Sequence, residues 1–273
     1  MTTATTIRAL VLSGNGTNCE RETAQACRLA GADEVKVISI WDLVAGAHGI
    51  GDADLLCVPG GFTDGDDLGA AQAAANRLRY SKVADTEASL IDEVLALVKR
   101  GGLVIGICNG FQLLVKLGLL PKADLTPRVT LTFNQSGRFE DRWVTLAVDH
   151  ASPCVFTRGL DGVELPIRHG EGRLVVGDEK TAVELESEHL VPLRYASPDT
   201  GLPTEEYPHN PNGSWHQAAA LCDRTGRIFG LMPHPEAFLH RTNHPRWTRT
   251  TLPDEGLGAT IFRNAVDHLR MWR

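Results

Sequence analysis

Four short runs of this chain are apolar almost from end to end instead of alternating with polar residues. They are Ala9-Leu10-Val11-Leu12, Val35-Lys36-Val37-Ile38-Ser39-Ile40, Leu55-Leu56-Cys57-Val58 and Leu103-Val104-Ile105-Gly106-Ile107. Such runs predict strands buried on both faces, as in a parallel sheet covered by helices. Helical patterns fall between them. The stretch from Thr17 to Ala30 predicts a helix closed by Gly31. A second, from Asp85 to Arg100, sets Leu90, Val94, Leu97 and Val98 on one face and ends at Gly101. Alternation of the two predicts an α/β fold: a doubly wound, mostly parallel sheet flanked by helices.

After Pro127 the texture becomes β-branched and alternating. Val129-Thr130-Leu131-Thr132-Phe133 and Arg142-Trp143-Val144-Thr145-Leu146, parted by the turn Asn134-Gln135-Ser136-Gly137, predict an antiparallel extension. A hairpin is predicted from Ala218 to Met232, turning at Asp223-Arg224-Thr225-Gly226, and an amphipathic helix over Thr260 to Arg273. Residues 63–76, 197–214 and 240–255, rich in Gly, Pro, Asn and Asp, are expected to be surface loops. No internal repeat or shift of composition divides the chain, so 1–273 is expected to be a single domain.

Composition narrows the function class. Charged residues make up 22% of the chain and the formal net charge is −7, which leaves no basic face for nucleic acid. No apolar run reaches the length of a membrane span, and the N-terminal Met1 to Arg8 lacks the basic-then-apolar order of a signal peptide. The six cysteines have neither disulfide-scaffold nor C-x-x-C spacing, which predicts free thiols and a cytoplasmic location. Cys57, within a strand run, and Cys19 and Cys27, within a helical run, are expected to be packing residues. His234, His240 and His244 fit neither a zinc finger nor H-E-x-x-H, so no metal is expected. Gly14-Asn15-Gly16-Thr17-Asn18 has Cys19 where a dinucleotide-binding loop needs its third glycine, so no such cofactor is expected.

The chemistry centres on Gly106-Ile107-Cys108-Asn109-Gly110, between a strand run and the helical run Phe111-Gln112-Leu113-Leu114-Val115. A G-x-C-x-G at that junction matches a nucleophile elbow with cysteine in place of serine. The flanking glycines are expected to permit the sharp turn, and the helix N-terminus favours negative charge on the sulfur. Such a thiol needs a base and a group that orients the base. Pro233-His234-Pro235-Glu236 supplies both if the segment is extended, because side chains two apart then share a side. Pro59-Gly60-Gly61-Phe62, after the third strand, offers backbone N–H groups. With the N–H of Asn109 these could hold an oxyanion at the carboxyl end of the sheet.

These motifs, PGGF, GICNGFQLL and MPHPE in that order, resemble the class I glutamine amidotransferases, whose sheet is flavodoxin-like. Asn134-Gln135-Ser136-Gly137-Arg138-Phe139 with Arg142-Trp143-Val144, Arg168-His169-Gly170-Glu171-Gly172, and Asn210-Pro211-Asn212-Gly213-Ser214 narrow the resemblance. They are similar to the subfamily of glutaminase subunits serving phosphoribosylformylglycinamidine synthases in purine biosynthesis. The resemblance implies hydrolysis of L-glutamine through a γ-glutamyl thioester on Cys108. His234 would be the acid and base, and Glu236 its orienting carboxylate. Gly60, Gly61, Phe62, Asn109, Gln112, Asn134 and Ser136 would contact glutamine, while Arg168, His169 and Glu171 would face a partner or serve structure. Ammonia would pass to a synthetase subunit that carries ATP and Mg, with a small third subunit as a further partner the resemblance allows; this chain itself would need no cofactor. Thr63-Asp64-Gly65-Asp66 departs from the usual Ser-Tyr-Gly-Asp, and loop insertions are implied near 64–85 and 197–214. The same motifs leave open a different amidotransferase glutaminase, or a stand-alone cysteine hydrolase of similar fold.

Overall fold

The computed structural model describes residues 6–272. Its strands are β1 (Arg8–Ser13), β2 (Glu34–Ser39), β3 (Leu55–Val58), β4 (Leu103–Ile107), β5 (Val129–Phe133), β6 (Glu140–Val148), β7 (Gly162–His169), β8 (Glu171–Val176), β9 (Leu193–Ala196), β10 (Ala220–Cys222) and β11 (Ile228–Leu231). Its helices are α1 (Glu20–Leu29), α2 (Ile40–Val44), α3 (Gln72–Tyr80), α4 (Leu90–Lys99), α5 (Asn109–Lys116), α6 (Glu179–Ser187) and α7 (Leu257–Met271). The main sheet has the order β10-β11-β4-β3-β1-β2. All its pairings are parallel except that of β10 with β11, the hairpin expected from 218 to 232.

The apolar runs sort by position in this sheet. β3 and β4, flanked by strands and covered on both faces, are buried at every residue. The run from Val35 to Ile40 was expected to be equally buried, yet Lys36 and Val37 are exposed. β2 is an edge strand, paired among the described residues with β1 alone, so solvent reaches it. The predicted helix over 17–30 begins only at Glu20, and that over 85–100 only at Leu90, where the Asp92 carboxylate accepts the Ser89 N–H as a capping contact. The C-terminal helix starts earlier than expected, at Leu257; Arg273, like residues 1–5, lies outside the described residues.

Two expectations are corrected. The runs at 129–133 and 142–146 do not pair with each other: β5 pairs with β8, whereas β6 lies between β7 and β9 in a separate three-stranded sheet. Buried Asn134 sets the chain path, since its amide donates to the carbonyls of both Arg138 and His169 and so ties the turn to the end of β7. The stretch 63–76 is not all loop, because α3 begins at Gln72. Residues 197–214 end in a buried polar anchor. Asn212 is fully buried and donates to the Gly172 carbonyl and the Tyr195 hydroxyl.

Phe111 seats the helix that carries the elbow. Its ring, 2% exposed, fills the space over Gly230 of β11, where any Cβ would lie 2.1 Å from Cδ2 of the ring. Burial of such a ring contributes roughly 1.5–3 kcal/mol and fixes α5 against the strand that leads to His234.

Candidate active site

Cys108 stands between β4 and α5 with φ +52° and ψ −106°, a conformation a non-glycine residue rarely adopts. Its N–H donates to the Leu231 carbonyl at 2.8 Å, which pins the elbow to the carboxyl end of β11. The strain thus lies on the cysteine itself. Gly106 and Gly110, expected to supply the turn, serve close approach instead. A Cβ on Gly110 would lie 2.0 Å from the Val58 carbonyl oxygen, and one on Gly106 would lie 2.6 Å from that of Gly110. The thiol of Cys108 donates weakly to the Arg168 carbonyl at 3.7 Å.

His234 comes from the other end of the chain. Its N–H donates to the Pro166 carbonyl at 2.8 Å, which holds the loop after β11 to β7. The segment is not extended: Pro235–Ala237 form a 3-10 turn with proline at its first position, where the ring's fixed φ already suits helix. The tight turn still brings residues two apart together. The Glu236 carboxylate can only accept, so His234 Nδ1–H donates to Oε1 at 2.6 Å. That leaves Nε2, which has no hydrogen-bond partner among the described residues, as the basic nitrogen. Both side chains are buried.

Cys108 and His234 meet across Gly60. A Cβ at Gly60 would lie 2.9 Å from Cε1 of His234, 3.5 Å from Cβ of Cys108 and 3.5 Å from Sγ of Cys19. Burial alone would disfavour the imidazolium. The negative charge of Glu236, then the nearby sulfurs of Cys108 and Cys19, more than offset it and hold the His234 pKa well above its ordinary value.

Cys19 is a correction. It was expected to be a packing residue within a helix; it precedes α1, and its Sγ is 4.0 Å from His234 Nδ1. Burial pushes its thiol up, so at neutral pH it is a neutral neighbour of the imidazole. Ligand atoms of Cys19, His234 and Glu236 lie within 4.8 Å of one another, a spacing that a thiophilic cation would also fit. The Nδ1 proton shared with Glu236 already occupies the histidine atom in the middle of that group. Cys27 and Cys57 are core thiols, 3.6 Å apart and fully buried.

The glycine pair is held by the loop that follows β1. Phe62 N–H donates to Gly16 O at 2.8 Å, and Asn18 N–H to Gly60 O at 3.3 Å. The Gly-Asn-Gly-Thr-Asn run, which carries no dinucleotide signature, therefore cradles Pro59-Gly60-Gly61-Phe62. Gly16 and Gly61 must both be glycine: each has positive φ, and a Cβ on either would lie within 2.5 Å of a carbonyl oxygen across the contact. With its N–H engaged, Phe62 offers the site its half-exposed ring and not an oxyanion donor. The Asn109 side chain accepts from Thr63 N–H at 2.9 Å and donates to Gln112 Oε1 at 3.0 Å, so it supports the loop and leaves its own N–H at the helix start.

A cavity of about 370 Å³ opens over these groups, lined by Cys108, His234, Gly61, Phe62 and Gln112. Asn134 and Ser136, expected at the substrate, do not line it. Ser136 donates to Glu140, and Asn134 stands behind the wall, where its Oδ1 accepts from His169 Nδ1 at 3.0 Å. Conversely, Arg168, His169 and Glu171, expected to face a partner or serve structure, line the cavity with Cys19 and Asp66. The HGEG run was visible in sequence, but its direction depends on the β7-to-β8 turn, which no local pattern announces.

Burial, then the positive charge near His234, drives the His169 pKa down to about 3. Its folded value is below that of the unfolded chain, so between pH 6.5 and 3 the unfolded state binds the extra proton and stability falls as pH falls. One such group changes stability by up to about 1.4 kcal/mol per pH unit. Denaturant unfolding from pH 7 to 4 is expected to show a shallower acid loss in His169→Gln than in the unsubstituted chain. Equal slopes would contradict the assignment.

Comparison with known proteins places the chain in a family. Residues 6–269 match the model of the CobB/CobQ-like glutamine amidotransferase domain. The chain belongs to this glutamine amidotransferase family. It is 42% identical to the phosphoribosylformylglycinamidine synthase subunit PurQ of Dehalococcoides mccartyi, over 97% of this chain and 98% of that one. It is 39% identical to the PurQ subunit of Methanococcus maripaludis, over 96% and 98%. The structure of PurLQS from Thermotoga maritima superposes with a TM-score of 0.70 at 28% identity, covering 97% of this chain and all of the matched one. The mostly parallel sheet with antiparallel additions is the architecture expected from the sequence. Among the described residues no helix is long and apolar enough to cross a membrane.

Proposed function

We propose that this chain is the glutaminase subunit of a phosphoribosylformylglycinamidine synthase, acting in purine biosynthesis in the cytoplasm as a single domain. The observation that carries the catalytic part is the meeting of Cys108 and His234 across Gly60, with Glu236 on the far nitrogen of the imidazole. The Cys108 thiolate attacks the side-chain carbonyl carbon of glutamine. The oxyanion is met by the N–H groups of Gly61 and Asn109. The C–N bond then breaks, the His234 imidazolium gives its proton to the leaving ammonia, and a γ-glutamyl thioester remains. His234, now neutral, takes a proton from water as it attacks the thioester, and glutamate leaves with Cys108 restored. Glu236 keeps the proton on Nδ1 throughout. No step calls for a cofactor in this chain.

The identity to PurQ subunits over nearly the whole chain supports a synthetase partner that carries ATP and Mg and consumes the ammonia. Phe62, Phe133 and Phe139, each about half or more exposed, line the same cavity, and such an apolar rim suits a docking partner.

Incubation with a diazoketone analogue of glutamine, followed by peptide mapping, tests the reading. A stable adduct on Cys108 that excess glutamine prevents is the expected result. Modification of Cys19 instead, or of no thiol, would overturn it.

A further inference from the structure

A second cavity, of about 380 Å³, opens at the opposite end of the main sheet from Cys108. It lies under the amino ends of β4 and β11, where the Val104 N–H donates to the Arg227 carbonyl at 2.9 Å. Arg100, Arg158, Arg227 and His268 line it and no carboxylate does, in a chain whose formal net charge is −7. Arg100 is spent on the chain itself, its Nη2 donating to the carbonyls of Gly51 and Ala53. The other two guanidiniums are not. That of Arg227 donates through Nε to the Thr225 hydroxyl at 3.2 Å, and that of Arg158 through Nη1 to Nδ1 of His268 at 3.4 Å. Among the described residues neither meets a carboxylate. A guanidinium can only donate, so Nδ1 of His268 accepts and the ring proton sits on Nε2. That N–H, on a residue 6% exposed, has no acceptor among the described residues. Burial, then the charges of Arg158 and Arg227, lower the His268 pKa, so both cations face this one neutral ring.

An anion satisfies such a set of donors. All three cations are arginines, whose planar forks match phosphate oxygens two at a time. With Arg100 held on the chain's own carbonyls, the donors that remain suit a single phosphate group. The space is larger than one phosphate fills and falls in the range of metabolite sites, roughly 300–1,000 Å³. Trp272 supplies the rest. It caps the end of α7 at the rim of the cavity, 77% exposed, its ring tilted against His268 with centroids 5.6 Å apart. An exposed indole beside guanidiniums offers a flat face on which a base can stack. We propose that this cavity binds a nucleoside monophosphate, with its phosphate on Arg158, Arg227 and the Nε2–H of His268 and its base against Trp272. The site is separate from the glutaminase chemistry. β4 and β11 begin beside it and end at Cys108 and Leu231, a strand length of roughly 15 Å away.

Calorimetric titration of the full-length chain with adenosine 5′-monophosphate, ribose 5-phosphate, adenosine and inorganic phosphate tests the proposal. One adenosine 5′-monophosphate is expected to bind per chain. Ribose 5-phosphate, which lacks the stacking base, is expected to bind about tenfold more weakly. Adenosine, which lacks the charge-assisted contacts, is expected to bind roughly 100-fold more weakly. Arg158→Gln and Arg227→Gln should each weaken the nucleotide about tenfold. Trp272→Ala, a change at an exposed position that leaves the core intact, should weaken the nucleotide about tenfold and leave ribose 5-phosphate unchanged. Unaltered far-UV circular dichroism shows that each variant is folded. No binding of the nucleotide, equal affinity for nucleotide and inorganic phosphate, or full affinity in both arginine variants would overturn the site. None of these results bears on the labelling of Cys108, which decides the glutaminase reading separately.

Discussion

Glu236→Gln is expected to lower kcat for glutamine by roughly 10⁴-fold, on the scale known for the neutral replacement of a triad acid. The carboxylate is an acceptor at both oxygens, with Oε1 on His234 Nδ1 and Oε2 buried and without a partner among the described residues. A glutamine at 236 has two choices, and each is costly. Turned with its amide nitrogen toward His234, it donates to Nδ1 and forces the ring proton onto Nε2, the atom that must act on substrate. Turned the other way, it buries an NH2 with no acceptor, which costs about 1–3 kcal/mol. Either orientation also removes the charge that does most to raise the His234 pKa. The imidazolium is then lost at lower pH, and the alkaline side of the kcat profile should move down. Rates and pH profiles measured on the synthetase-bound enzyme decide the matter. A loss below tenfold, with the profile unmoved, would show that Glu236 only fills space.

That prediction depends on electrostatics that the sequence states incompletely. P-H-P-E announces a histidine and a carboxylate held close, and the structure agrees. It does not announce how: an extended segment and a 3-10 turn both bring residues 234 and 236 together. Proline at the first position of the turn decides for the turn. Nor does the sequence announce Cys19. Its neighbours give a helical pattern, and only the crossing of the β1 loop beneath Gly60 carries its sulfur to the imidazole.

The same division runs through the fold. Strands that cross the middle of the main sheet are legible because burial on both faces leaves no polar positions, as in β3 and β4. β2 misleads because its composition is apolar while its place at the edge is set by topology. The pairing of β5 with β8 over forty residues of chain is invisible locally. It follows from long-range hydrogen bonds of Asn134 and Asn212, residues that look like surface turn formers in the sequence. Asn134 and Ser136 illustrate the consequence for the site. Their motif identifies the subfamily correctly, but in the fold they contact His169 and Glu140 and do not line the cavity.

Gly60→Ala is expected to reduce glutaminase turnover by about 100-fold with little change in the overall fold. The backbone at Gly60, unlike that at Gly61, is not in the left-handed region, so alanine meets no conformational penalty there. What it meets is the catalytic pair. The added methyl would lie 2.9 Å from Cε1 of His234, closer than carbon atoms approach without contact strain. The imidazole cannot simply swing aside, because it is buried and tied to Glu236 at 2.6 Å. It must therefore shift by a few tenths of an ångström or loosen that bond, and displacements of about 1 Å in such arrangements cost on the order of 10² in rate. The Cβ of Cys108, 3.5 Å from the added methyl, is in ordinary van der Waals contact, so the thiol keeps its place. Alkylation of Cys108 by iodoacetamide should continue in the variant at a rate within about tenfold of the original, since the proton-transfer geometry suffers and the nucleophile remains. Full turnover of glutamine in Gly60→Ala would mean that the imidazole and the thiol do not work across this glycine.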